Sequence, residues 1–184
     1  MKSYAEIFNR VFDAIPLFIH WMNHVLESNQ KNATPIIDLG FKKINIVFPT
    51  PLLKRAKVVI VMGNTPFPPL SEIGLHEFYD MERMPIAGIT YKDTYFVTQN
   101  HHTESLCFHE MIHVLQWDKL GVERFLLAYG IGLARFGYDQ NPFEKMAHTY
   151  QRKLDTNALP MNFLKLVRQE IDTIWNQINP LYNL

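Results

Sequence analysis

Two histidines four residues apart with a glutamate beside the first, His109, Glu110 and His113, are the residues of this chain best suited by type and spacing to do chemistry. On an α-helix that spacing sets both imidazoles on one face, about a turn apart. They can then share one ion at roughly 2.0–2.1 Å from each nitrogen. Glu110 projects about 100° around the helix from His109, beside such an ion rather than onto it, where it can take a proton from a water that the ion polarises. The chemistry implied is zinc-assisted hydrolysis. Leu106, Met111, Ile112, Val114 and Leu115 around the motif are apolar, so the helix is expected inside a core. Two imidazoles and a carboxylate are costly there without a partner.

A catalytic zinc usually carries three protein ligands and one open position, so a third donor has to come from elsewhere. Glu123, Glu144, His148 and Asp155 lie downstream. Asn141-Pro142 reads as a helix start, a capping Asn followed by Pro at the first helical position. Glu144 then falls in the first turn of a helix that can fold back onto the ion, and it is the expected third ligand. His148, one turn further on the same face, could ligate instead or hydrogen-bond the reacting oxygen. For stabilising that oxygen the candidates are Tyr129, Tyr138, His148 and Tyr150. His148 and Tyr138 are preferred as catalytic partners of Glu110. Asp118, Asp155 or a backbone carbonyl is expected to orient the imidazoles.

Other histidines carry less. His20 and His24 are also four apart but lack an acidic neighbour and sit among Phe18, Ile19, Trp21 and Met22, so they read as packing residues. His101 and His102 read as a surface turn. Cys107, the single cysteine, has no disulfide partner and reads as small core filler.

The elements that must position these groups follow from periodicity. Residues 4–27 carry one apolar helical face, with Pro16 marking a kink or break. Residues 43–49 and 57–62 read as two short strands, and residues 63–69, with three prolines, as an extended loop. Residues 86–91 and 94–98 flank Lys92-Asp93 as a hairpin. The 94–98 strand is the expected exposed edge, where an extended peptide could add by main-chain hydrogen bonds. Thr103 or Ser105 caps the motif helix, Glu104 suits its positive end, and Gly121 ends it. Helices are expected over 122–135, 142–154 and 161–178, the last a packing helix.

With 184 residues, 47% of them apolar and 20% charged, the chain suits one ordinary globular domain spanning 1–184. A formal net charge of zero argues against a nucleic-acid partner. No apolar run approaches the roughly 18–20 residues of a membrane span, and no secretory signal is visible. The expectation is therefore a cytoplasmic protein with neither a membrane nor a nucleic-acid partner.

On these residues the chain resembles the zincin metallopeptidases of the gluzincin type, in which a glutamate on a second helix completes the site. The resemblance is carried by His109-Glu110-Met111-Ile112-His113-Val114-Leu115-Gln116 and by Asn141-Pro142-Phe143-Glu144-Lys145-Met146-Ala147, and covers residues 86–151. It implies an α+β, zincin-like fold: a small antiparallel or mixed sheet with a hairpin before the motif helix, then a glutamate-bearing helix and a C-terminal packing helix. It also implies zinc on His109, His113 and Glu144, Glu110 as the base, and a peptide or protein substrate. A zinc-stabilised binding or regulatory module on the same fold is the alternative. One position departs from the pattern: larger gluzincins carry an acid four residues after the ligand glutamate, where this chain has His148.

Overall fold

The apolar stripe of the N-terminal region forms one long helix, α1 (Tyr4–Asn29), in the computed structural model, which describes residues 4–182. It continues through Pro16, so the expected break is absent. A proline removes one hydrogen bond of the ladder, and burial of Val11, Ala14, Ile15 and Met22 on both sides of it holds the helix together. His20 and His24 stand exposed on α1. They are not packed as their neighbours suggested, and among the described residues they join no metal-binding group.

A four-stranded mixed sheet follows from β1 (Thr34–Pro35), β2 (Lys57–Val61), β3 (Gly88–Tyr91) and β4 (Thr94–Thr98), so the chain is α+β as expected. The order is β1-β2-β4-β3, with β2 and β4 parallel and the other neighbours antiparallel. The hairpin forms around Lys92, whose φ of 57° makes the tight turn. The expected exposed edge at 94–98 is corrected, because β4 lies between β2 and β3 and the edge beside the motif helix belongs to β3.

The expected strand at 43–49 is also corrected: residues there form α2 (Lys42–Val47), followed by α3 (Thr50–Arg55). The Glu104 carboxylate accepts from the backbone N–H groups of Lys43 at 2.6 Å and Ile44 at 3.0 Å, capping the free donors of α2 from across the fold. Ile44 is buried while Ile46 points out, 82% exposed. A strand would have put both on one face, but β-propensity gives way to this tertiary cap.

Between β2 and β3 the chain runs extended through its prolines and then forms the short α4 (Tyr79–Glu82). Tyr91 Oη donates to Pro66 O at 2.7 Å, Thr65 Oγ1 to Ile86 O at 3.2 Å, and Glu77 pairs with Arg10 of α1. Leu70, Leu75 and Phe78 of this segment bury against the core.

The second half is α5 (Glu104–Leu120), α6 (Val122–Phe136), α7 (Pro142–Asp155) and α8 (Phe163–Tyr182). Thr103 Oγ1 caps α5 by accepting from Leu106 N. From Cys107 to Trp117 every residue of α5 is buried, as a helix enclosed on all sides must be. It packs on β3 and against α6, α7 and α8, within one hydrophobic cluster. Among the described residues no helix is long and apolar enough to cross a membrane.

Candidate metal centre

Glu144 reaches the two motif histidines because of how α7 begins. Asn141 Oδ1 accepts from Phe143 N at 3.1 Å, capping the helix, while its Nδ2 donates to Tyr129 O of α6 at 3.2 Å. A Cβ at Gly132 would lie 2.9 Å from Asn141 Oδ1, so only glycine lets α6 approach this cap. Pro142 then fixes the first turn, and Glu144 enters the core facing α5.

His109 Nε2 and His113 Nε2 are 3.0 Å apart, and they lie 3.4 and 3.3 Å from Glu144 Oε2 and Oε1. Tetrahedral donors on an ion with bonds of roughly 2.0–2.2 Å stand about 3.3–3.6 Å apart; the two His–Glu144 separations match this spacing, each to a different carboxylate oxygen, and the His–His separation is shorter. The outer nitrogens fix the tautomers. His113 Nδ1 donates to Gln116 Oε1 at 2.7 Å, and Gln116 Nε2 donates to Phe143 O at 3.1 Å. His109 Nδ1 donates to Gln151 Oε1 at 3.2 Å. Gln151 Nε2 in turn donates to Ser105 Oγ at 3.0 Å, and Ser105 Oγ to Asp155 Oδ2 at 2.9 Å.

With both Nδ1 atoms donating, the two Nε2 atoms face each other across 3.0 Å. A proton or a cation has to lie between them. Glu144 Oε2 is buried without a hydrogen-bond partner, while Oε1 accepts from Tyr129 Oη at 2.7 Å. The His–Glu144 spacing and the orphaned Glu144 oxygen fit a bound zinc. The His109, His113 and Glu144 side chains are the ones that would hold it.

Glu110 is held differently. Thr90 Oγ1 donates to Glu110 Oε2 at 2.6 Å, and a Cβ at Gly88 would lie 2.3 Å from Oε1, so the carboxylate lies flat against β3. Trp117 Nε1 donates to Thr90 O at 3.2 Å and fixes that strand residue. The two carboxyls diverge accordingly. Burial pushes Glu110 above its ordinary value, only partly offset by the imidazoles and Thr90. Burial would also raise Glu144, but the His113 and His109 rings outweigh it and hold Glu144 well below its ordinary value. Burial opposes a charged His113, yet Glu144 carries that ring up to about 9.

His148 and Tyr138 both reach the centre. The His148 ring packs on His109 with centroids 4.5 Å apart, and a donor atom of His148 lies within 4.8 Å of donors on His109 and Glu144. This is looser than the triangle that includes His113. Tyr138 lies beside Glu144, its hydroxyl pushed upward by burial and then by that carboxylate. Tyr129 supports Glu144, whereas Tyr150 is buried against Phe163. Glu123 is exposed, and Asp118 pairs with Arg55 rather than with a histidine. Asp155 connects to His109 only through Ser105 and Gln151. Cys107 is buried, its thiol pushed up to about 12 by burial, in keeping with a packing role. His101 and His102 are exposed in a turn, bonded to Thr98 and Gln99.

Sequence reasoning missed Gly88, Thr90 and Gln151. Gln116 stood in the motif run without an assigned task. Comparison with protein-family models, with curated proteins and with solved structures finds no match in any of the three.

Proposed function

We propose that this chain is a zinc-dependent hydrolase with a zincin-like site, acting on peptide bonds. The observation that carries the reading is the juxtaposition of His109, His113 and Glu144, with donors 3.0–3.4 Å apart, and a separate carboxylate, Glu110, held by Thr90 in the space that Gly88 leaves on β3. Zinc, when bound, supplies a Lewis acid and lowers the pKa of water towards about 7. Glu110 accepts the proton of the attacking water and returns it to the leaving amine. Thr90 keeps one carboxylate oxygen fixed while that proton moves. Tyr138 and His148, on either side of Glu144 and His109, are the candidates for hydrogen-bonding the reacting carbonyl oxygen.

The free edge of β3 supports a peptide as substrate. Thr98 N donates to Ala87 O at 2.9 Å, so Ala87, Ile89 and Tyr91 turn their backbone groups towards β4. Gly88 and Thr90 turn theirs outward, and the Thr90 carbonyl is taken by Trp117. The Gly88 N–H and C=O are left for an added strand directly beside Glu110.

A second reading is a zinc-stabilised binding module. The burial of the four central side chains favours it, since none is more than 6% exposed. One experiment separates the two. Zinc-loaded wild type and Glu110→Gln are incubated with a mixed peptide library and the products read by mass spectrometry. The hydrolase reading expects cleavage by wild type and a rate lower by about 10²–10⁴ in the variant. Equal zinc in both with no cleavage by either supports the binding module.

A further inference from the structure

A cavity of about 140 Å³ opens against the donor cluster and reaches from it to α1. Its walls are apolar: Val11, Ala14 and Phe18 of α1, Leu70 and Phe78 of the segment between β2 and β3, and Ile89 of β3. Its ionisable groups at the centre are His109, Glu110, His113, Glu144, Tyr129 and Tyr138, with Thr90 beside them. Among the described residues no lysine or arginine lines it. Protein interiors are otherwise packed to the density of organic crystals, so an open space of this size beside reactive groups stands out from the surrounding core.

We infer that this cavity is the recognition pocket for one bulky apolar side chain of the substrate, of phenylalanine or leucine size, next to the bond that is cut. The size sets the class: a dry apolar cavity of about 150 Å³ takes a benzene-sized ligand. One ring or branched aliphatic group fills it, and a long acyl chain does not fit. The lining sets the polarity. The apolar walls beyond the centre carry no charged group, so a charged side chain seated among them would lose its hydration without a counter-ion, and a terminal carboxylate or a phosphate would meet Glu110 and Glu144. The polar groups sit together at one end, so a side chain seated among the apolar walls leaves its own backbone amide beside Glu110 and the edge of β3.

This proposal rests on the hydrolase reading for the bond that is cut, but not for binding, so its test has two arms. In the first, zinc-loaded protein with ¹³C-labelled methyl groups is titrated with N-acetyl amides of phenylalanine, leucine, glycine and aspartate. The Val11 and Ile89 methyl resonances should shift saturably with the first two only, and Ala14→Phe, which fills the pocket, should weaken that binding at least tenfold. No shift with phenylalanine overturns the proposal. In the second arm, wild type, Ala14→Phe and Phe18→Ala are given the peptide library. Cuts beside Phe and Leu should fall at least tenfold in Ala14→Phe relative to cuts beside Ala, and Phe18→Ala, which enlarges the pocket, should move the preference towards Trp. Cleavage without side-chain preference overturns the pocket and leaves the hydrolase standing. Binding of the phenylalanine amide without any cleavage upholds the pocket and removes the hydrolase. If Ala14→Phe does not fold, Phe18→Ala decides: an unchanged preference overturns the proposal.

Discussion

Thr90 donates to one oxygen of Glu110 at 2.6 Å, and the other oxygen lies where a methyl group on Gly88 would be 2.3 Å away. Both residues fix the Glu110 carboxylate without belonging to any motif. Thr90→Val keeps the shape and removes the donor, leaving a buried carboxylate oxygen unsatisfied. The expected cost is about 1–3 kcal/mol in a denaturant titration, with zinc content unchanged and kcat reduced. Gly88→Ala forces the Glu110 carboxylate to turn, and is expected to lower the hydrolysis rate at least tenfold while one zinc per chain is retained. An unchanged rate would show that the position of Glu110 against β3 is irrelevant. That His109 and His113 share one helix face was legible from their spacing within an apolar run, and the approach of Glu144 to them from the Asn-Pro helix start. Thr90, Gly88 and Gln151 were not, because their contact with the centre depends on how distant segments dock, which no local spacing encodes.

Helix α7 is the element on which the third donor depends. Its cap Asn141 bonds both its own first turn and the carbonyl of Tyr129, whose hydroxyl holds Glu144 Oε1. Asn141→Ala is expected to cost about 1–2 kcal/mol and to weaken zinc binding, measurable by competition with a chromophoric chelator. A loss of stability with unchanged zinc affinity would show that the cap does not set the position of Glu144. The same scale shows where local patterns mislead. Ile44-Asn45-Ile46-Val47-Phe48 has the composition of a strand, yet Glu104 caps it as a helix from across the fold. The 86–98 hairpin was legible from its turn, but which of its strands faces solvent was not. That depends on β2 pairing in parallel with β4, a contact set by the whole sheet.

At the scale of the molecule, α1, the segment between β2 and β3, and α6 enclose the cavity, while α5 and α7 carry the donors into the core. Burying His109, His113, Glu110 and Glu144 together costs free energy that a cation bound among them would offset. Zinc should therefore stabilise the whole fold, by about 2.7 kcal/mol when its free concentration is about 100 times Kd. Chelation is expected to lower Tm, and restoring zinc should reverse the loss. A Tm that ignores chelator would place the ion outside the folding equilibrium. The pairing of Arg10 with Glu77 and the bond from Tyr91 to Pro66 tie the cavity walls to one another. Filling or enlarging the cavity should thus be felt in α1 as well as at the centre.

The most direct measurement is zinc content by elemental mass spectrometry after exhaustive dialysis of wild type, Glu110→Gln and Glu144→Ala. The expectation is one zinc per chain in wild type and in Glu110→Gln, and less than a tenth of that in Glu144→Ala. Wild type without zinc, or Glu144→Ala with a full complement, would contradict it.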